Sequence, residues 1–350
     1  MSVEDWPKVA IIVLNWNGWR DTIECLESLR KLSYPNYFIV VVDNGSSDDS
    51  VERIKAWARG ENSSSVSQEL CAKERPSHSI NLVEYTWAVA RTGGLGKQEE
   101  KFEELPRHDK VVLITVDKNL GFAGGNNVGT RYALRSGAEW VLLLNNDTVV
   151  DPWLLDQMIL GAKLERKVGV VGPKILFYDN PSVIQSVGGT LNLWTGRGYL
   201  RGHGEADHGQ YDQPHDVDWV SGAAIFIRAE ALQKVGLLDE SYFLCYEETD
   251  LCYRIKKAGY SIRVIPTARV WHKGSRSLHK PNAEYYLTRN RALFMRKHGT
   301  KLQRLIFGVF YLLGSLKRGI IFALRGEKDC CKAVFSGLRD GLLYLAKPKV

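Results

Sequence analysis

The stretch "KVAIIVLNWNGWRDTIECLESLRKLSYPNYFIVVVDNGSSDDS" (residues 8–50) decides the fold. It opens on an apolar run that stops at Asn15 and Asn17, crosses a helical pattern at Asp21–Leu32, and closes on a second apolar run that stops at Asp43. Ile23, Leu26 and Leu29 share one helix face, and Asp21 is placed to cap that helix. Asn44-Gly45-Ser46-Ser47 reads as a turn, and "DSVERIKAWA" starts the next helix. Strand–helix–strand–helix marks a parallel α/β sheet. Strands without polar alternation belong in a sheet covered on both faces.

The rhythm breaks from about residue 60 to 110, where two polar stretches rich in Ser, Gly and charge flank a short strand-like "INLVEYTWAVA". This reads as a surface insertion. It resumes with "VVLITVDKNLGFAGGNNVGTRYALRSG", a strand, a glycine-rich turn and a helix, and then the strand "WVLLLNNDTVVDP". Beyond lie a helix, an extended segment at "VGVVGPKILFY", hairpins at "VIQSVGGTLNLWTGRGYLRG", and a strand and helix at "WVSGAAIFIRAEALQKVG". "YEETDLCYRIKKAGY" is helical, "SIRVIPTARVWHKGSRS" a strand entering a polar loop, and "AEYYLTRNRALFMRKHG" a helix. No internal repeat is visible.

The chain has 350 residues, 44% of them hydrophobic and 25% charged, an ordinary globular composition. Its formal charge of +7 is not evenly spread: residues 296–350 carry +9 and the first 295 sum to −2. A charge confined to the tail argues against nucleic acid as a partner of the whole protein. The six cysteines form no CxxC pair, so neither a zinc site nor a disulfide framework is signalled, and a reducing cytosol is expected. The acidic start, with an apolar run of about five residues, does not match a signal peptide.

The polar strand ends carry the chemistry. Ligands of open parallel sheets bind beyond the carboxyl ends of the strands. Asn15 and Asn17 follow the first strand, Asp43 and Asn44 the second, and "NLGFAGGNN" (residues 119–127) a third. The glycines of the last would let backbone amides approach a phosphate or ribose. Their spacing is not the G-x-G-x-x-G of a dinucleotide fold, which argues against a Rossmann dehydrogenase. Asn145-Asn146-Asp147 ends a fourth strand, and Asp147 suits a hard divalent ion of the kind that neutralises a diphosphate. Glu247, Glu248 and Asp250 lie in the first turn of a helix, where acids also complement the dipole. Their crowding would raise one pKa toward that of a working base. His272, at a strand end, could add a nitrogen ligand to an oxygen-rich site.

With these segments in order from Lys8 to about Arg296, the chain resembles an inverting family-2 glycosyltransferase of the GT-A fold, close to the rhamnosyltransferase-like branch. The resemblance rests on "VLNWNG", "VVDNGSSDDS", "NLGFAGGNN", "LLLNNDTVVDP", "WVSGAAIFIR", "GLLDESYFLCYEETDLCYR" and "VWHKGSRS". It implies a mostly parallel sheet flanked by helices over residues 1–296, with a helical extension over 297–350. Asn15, Asn17, Asp43 and Asn44 would hold base and ribose. Asn119, Gly121, Gly124, Asn126, Asn145 and Asn146 would line the rest of the nucleotide-sugar pocket. Asp147 and His272 would hold Mg2+ or Mn2+. Glu248 would be the general base with Asp250 as the motif's next acid, and Trp219, Ser221, Gly222 and Glu247 would border the acceptor. The chain departs from the family pattern in having Asn145 at the first DxD position, Glu rather than Asp at the base position, and the long insertion.

The implied donor is dTDP-rhamnose or a UDP-sugar, and the acceptor a glycan or a lipid-linked sugar. "LQRLIFGVFYLLGSLKRGIIFALRG" (residues 302–326) is apolar but split by Lys317 and Arg318, so a clean span is not expected. It reads as a helical pair packing on a partner or as an interfacial element on the cytoplasmic face of an anionic membrane. The competing functions are a sugar-phosphate nucleotidyltransferase, poorly matched by "VLNWNGWRD", and a non-catalytic glycan-binding protein of the same fold.

Overall fold

The computed structural model describes residues 6–61, 80–96, 110–163, 167–274 and 279–346. Its helices are α1 (Trp19–Leu29), α2 (Ser50–Ala58), α3 (Trp87–Ala90), α4 (Gly121–Arg135), α5 (Leu154–Lys163), α6 (Ala229–Val235), α7 (Glu247–Lys257), α8 (Lys280–His298), α9 (Lys301–Leu324) and α10 (Lys328–Ala346). The strands are β1 (Val9–Asn15), β2 (Tyr37–Asp43), β3 (Asn81–Thr86), β4 (Lys110–Thr115), β5 (Trp140–Asn145), β6 (Thr148–Val150), β7 (Val168–Phe177), β8 (Ile184–Ser186), β9 (Gly189–Asn192), β10 (Arg197–Leu200), β11 (His215–Asp216), β12 (Ala224–Arg228) and β13 (Ser261–His272).

Val9 to Val13 of β1 are fully buried because the strand has a core on each side. Val9, Ile11 and Val13 pack with Cys25, Leu26 and Leu29 of α1. Ala10 and Ile12 point the other way, toward Val128 and Tyr132 of α4. Period-two alternation thus distributes one apolar run over two layers. The main sheet runs β11-β13-β7-β12-β5-β1-β2-β4-β3, with β6 on β13 and β8 on β7. β1, β2, β3, β4 and β5 are parallel, whereas β12 is antiparallel to both β5 and β7. β9 and β10 form a separate hairpin.

Two local expectations change. Asp21 does not cap α1. The cap position is Gly18, without a side-chain bond, and Asp21 sits in the first turn facing Lys273. Ile23 is only half-buried, because the inward face of α1 is Trp19, Thr22, Cys25, Leu26 and Leu29. Of the expected insertion, residues 62–79 and 97–109 lie outside the described residues, as does 275–278 of the polar loop after His272. Between the first two, β3 is an edge strand on β4.

α8, α9 and α10 enclose a cluster that includes Ala292, Leu293, Phe294, Met295, Phe307, Tyr311 and Leu338. Tyr242, just ahead of α7, belongs to the same cluster.

α4 lies close on the sheet. A Cβ on Gly129 would meet Ile12 Cγ2 at 2.6 Å and Val42 Cγ2 at 3.0 Å. Gly129→Ala is therefore expected to destabilise by about 1–3 kcal/mol, as overpacking does. Urea unfolding would read this as a lower midpoint at unchanged slope. An unshifted midpoint would show that α4 can ride outward freely.

Candidate active site

The parallel register brings the polar strand ends to one level. Asn15 pairs with Asp43, Asp43 with Thr115, and Leu14 with Asn145. Asn15 Nδ2 donates to Asp43 Oδ2 at 2.8 Å, and Ser46 donates to the same carboxylate through its amide (3.1 Å) and hydroxyl (2.6 Å). Asp43 is 3% exposed, so these donors replace the water that an ionised carboxylate needs. Asn17, with φ of 51°, accepts from the Ser47 and Asp48 amides and closes the first loop onto the second.

Asn44 joins this level to the glycine-rich turn. Its Nδ2 donates to Asn119 Oδ1 and Gly121 O, both at 3.1 Å, and its Oδ1 accepts from Leu120 N at 3.0 Å. Gly121 has φ of +74°, and a Cβ there would lie 2.5 Å from Phe243 O. Gly124 lets the first turn of α4 close over Leu120, 2.7 Å from where its Cβ would be. Asn126 is buried, its Nδ2 donating back to Phe122 O at 2.9 Å, so its side chain serves the helix in this state.

Asn146 donates to Gly18 O (3.2 Å) and Thr22 Oγ1 (3.0 Å), tying the β5 end to the β1–α1 loop. Asp147 and His272 meet, with Oδ1 3.1 Å from Nε2. Both are almost fully buried, and Asn145 Nδ2 stands 3.4 Å from the same Nε2. β13 delivers His272 opposite Thr148 of β6, which is why residues far apart in sequence converge. His272 Nδ1 lies 2.6 Å from Gln185 Oε1. Among the described residues no group of three or more His, Cys, Asp and Glu side chains forms a metal-binding cluster.

Beside Gly222, α7 presents its acids. Glu247 is 3% exposed, and its Oε2 has no hydrogen-bond partner. Burial and the neighbouring Glu248 push its carboxyl well above the usual range. Burial also raises Glu248, which keeps part of its surface open and accepts from Thr249 Oγ1 at 3.3 Å. A Cβ on Gly222 would stand 3.8 Å from Glu248 Cγ and 3.6 Å from Phe122 Cζ, so Ser221-Gly222 border the same opening as the glycine-rich turn.

Asp250, expected beside Glu248, instead turns away and is 1% exposed. Its Oδ1 accepts from Tyr242 Oη (3.1 Å) and faces His298 Nε2 (2.7 Å), and its Oδ2 accepts from Arg254 Nε (2.6 Å). The helical period explains it: two residues after Glu248 is a different face of α7. Trp219, expected on the acceptor side, is 8% exposed, its ring pressed on Gly189 and Gly198 of the hairpin and its Nε1 donating to Thr190 O. Thr22, Gln185 and His298 were not singled out from sequence. Each acts through long-range contacts that no local pattern announces.

Residues 98–292 match the model of glycosyltransferase-like family 2, more than half the chain, and residues 10–67 match that of glycosyl transferase family 2. The chain belongs to this family. It is 26% identical over 210 residues to the dTDP-rhamnosyl transferase RfbF of Shigella flexneri, covering 57% of this chain and 68% of that protein. It is 27% identical over 206 residues to the N-acetylglucosaminyl-diphospho-decaprenol L-rhamnosyltransferase of Mycobacterium tuberculosis, covering 54% and 67%. With the low-salt glycan biosynthesis hexosyltransferase Agl10 of Haloferax volcanii it shares 29% over 156 residues, 44% of this chain and only 49% of that one. These relatives bear out the rhamnosyltransferase-like resemblance. S. aureus TarS (residues 1–349) superposes with a TM-score of 0.54 at 15% identity, over 97% of this chain and 81% of that one. The mannosyltransferase PcManGT of Pyrobaculum calidifontis, in complex with GDP-Man and Mn2+, superposes at 0.51 and 13% identity, over 96% and 87%. Such identities carry the fold alone, and the fold of this family-2 member is GT-A, as expected.

The Asp250 cluster yields a pH-dependent prediction. Burial opposes ionisation, but the His298 hydrogen bond and the Arg254 charge hold the Asp250 carboxyl below the usual aspartate range. A lowered native value means stability that is complete above the unfolded value of about 4 and lost as pH falls through the native one. Asp250→Asn should thus cost about 3 kcal/mol at pH 7, the loss of one partner of a buried pair. In paired urea titrations the gap to the parent should close only below about pH 4. A gap constant down to about pH 3 would rule out an ionised Asp250 as its source.

Proposed function

We propose that the chain is an inverting glycosyltransferase that moves a sugar from a nucleotide-diphospho-sugar to a hydroxyl of a glycan or lipid-linked acceptor in cell-surface polysaccharide synthesis. The observation that carries this is the gathering of Asp43, the 119–127 turn and the Asp147–His272 pair at one sheet edge, with Glu248 beside Gly222 and near Phe122 of that turn. Family membership favours this over the nucleotidyltransferase alternative. By analogy with the rhamnosyltransferase relatives the donor is dTDP-rhamnose, with UDP-sugars next.

In the reaction, Glu248 takes the proton of an acceptor hydroxyl. The acceptor oxygen bonds to the anomeric carbon from the side opposite the diphosphate, the bond to the phosphate oxygen breaks, and the nucleoside diphosphate leaves. One displacement inverts the centre. Asp43, Asn15, Asn17 and Asn44 form the base and ribose wall, and Asn119, Gly121 and Gly124 the turn over the donor. Asn126, Asn145 and Asn146 set the shape of that wall from behind. Asp250 and Trp219 hold α7 and the hairpin in place, and burial beside Glu248 disfavours the charge on Glu247.

A divalent metal fits at Asp147 and His272. A carboxylate oxygen and an imidazole nitrogen 3.1 Å apart suit adjacent ligands of one ion. The Gln185 oxygen at Nδ1 favours the tautomer that leaves the Nε2 lone pair free. Two protein ligands leave room for donor phosphates and water, the usual manner of Mg2+ at phosphate sites. When bound, the ion would neutralise charge on the diphosphate. PcManGT is a GT-A neighbour determined with Mn2+.

Nucleoside diphosphate release from a panel of dTDP-, UDP- and GDP-sugars with a membrane lipid extract tests this. Release should fail with chelator and in Asp147→Asn. It should drop about 10²–10⁴-fold in Glu248→Gln, with nucleotide binding retained. Because burial raises Glu248, the acid limb of the rate profile should lie above the ordinary glutamate value of about 4.3. Full turnover in Glu248→Gln would remove it from the mechanism.

The proposed catalytic unit ends near residue 296, and the 297–350 extension meets the cytoplasmic face of an anionic membrane. α9 runs unbroken through Lys317 and Arg318 and is long and apolar enough to cross a membrane by length and composition. One face is exposed at Leu305, Val309, Leu313, Leu316, Ile320 and Leu324, while the opposite face packs through Phe307, Tyr311 and Phe322. A half-exposed, half-packed helix with a basic surround suits the headgroup boundary better than a span. The protein should cosediment with phosphatidylglycerol-containing vesicles, more weakly with neutral ones, and lose binding in Leu305→Asp/Val309→Asp. Equal binding by that double variant would overturn the membrane reading.

A further inference from the structure

The segment Tyr242–Tyr246, which leads into Glu247 and Glu248, has an unusual backbone. Phe243, Cys245 and Tyr246 have φ of 64°, 66° and 77°. Bulky side chains rarely occupy this left-handed region, and they persist there only when the surroundings over-determine them. Tyr246 is also the residue from which α7 starts, so the twist of this segment sets where the helix points.

The restraint comes from α8. Asn290 is fully buried, and its Nδ2 donates to Tyr242 O (3.0 Å), Leu244 O (2.8 Å) and Cys245 O (2.7 Å). Arg289 Nη2 donates to Ser241 O and Tyr242 O at 2.9 and 2.8 Å, and its Nε to Asn290 Oδ1 at 2.8 Å. Phe243 O accepts instead from the Phe122 and Ala123 amides at 2.7 and 3.3 Å, while Tyr246 O takes the Asp250 amide inside α7. Phe243 O occupies the space that a Cβ on Gly121 would need. The carbonyls of Tyr242, Leu244 and Cys245 are therefore claimed by α8, and that of Phe243 by the start of α4. An ordinary loop anchor would need one such bond; here a single buried amide gathers three carbonyls around three strained residues.

We propose that Asn290 is a positioning residue: by gathering these carbonyls it holds the left-handed run that sets Glu248 against the 119–127 turn. This rests on the reading of Glu248 as the base. Neither Asn290 nor Arg289 touches the proposed sites of donor or acceptor, so their effect passes through the backbone of residues 242–246.

The test uses the full chain as Asn290→Asp, which keeps the shape but turns a donor into an acceptor facing carbonyls, and as Arg289→Ala. Glu248→Gln is the reference. Expected for Asn290→Asp are faster hydrogen exchange confined to residues 242–248, UDP or dTDP binding within about threefold of the parent, and kcat lower by about 30-fold or more at a donor KM little changed. Arg289→Ala should show the same pattern more weakly, and it decides the matter should Asn290→Asp fail to fold. Loosened exchange with kcat intact would overturn the proposal. So would activity lost only in proportion to the unfolded fraction, with kcat per folded molecule unchanged. Turnover surviving in Glu248→Gln is a different outcome, since it removes the base assignment itself.

Discussion

The register between β1 and its two parallel neighbours is the constraint from which the site follows. Main-chain ladders lock Asn15 beside Asp43 and Leu14 beside Asn145. A slip of one residue would turn Ile11 and Val13 out of one core and into the other. The apolar packing on both faces therefore fixes the height at which the polar ends emerge. Asp43 can stay buried because Asn15, two bonds of Ser46 and the turn after β2 arrive at that same height. Chemistry at the edge is thus positioned by burial in the middle of the sheet.

The antiparallel β12 adds a second approach to this edge. It lies between β5 and β7, and its start, not its end, reaches the edge where the polar strand ends emerge. Ser221 and Gly222 accordingly precede their strand, whereas Asn15, Asp43 and Asn145 end theirs. Glu248 meets Gly222 because α7 begins at the same edge. The edge is built from two directions of chain, one presenting strand ends and the other an approach into a strand.

Legibility in the sequence divided along the same line as local and distant contacts. The first two strands, their polar ends and the helix at "YEETDLCYR" could be read because each depends on a short pattern. Asp147 and His272 could be named singly, but their 3.1 Å meeting depends on β13 pairing with β6, which no local pattern encodes. Asp250 could be named with Glu247 and Glu248 but its side of α7 could not, because three acids in four residues look equivalent in a string, while a helix sends them to different faces. Trp219 could be named from its motif, but the glycine-backed hairpin beneath its ring is visible only in the fold. Asn290 left the faintest sign of all, one polar residue among many in a helix with little apolar periodicity, and its partners lie more than forty residues upstream.

Tyr242 shares its cluster with Phe307, Tyr311 and Leu338 from the last two helices. The apolar tail is thus no detachable anchor. Trimming the chain near residue 296 would remove Phe307, Tyr311 and Leu338 from that cluster. Tyr242 also donates to Asp250. A shortened protein would lose, with its apolar tail, part of the packing that Tyr242 shares, and Tyr242 braces the helix that carries the acids. The tail and that helix are coupled through one aromatic side chain.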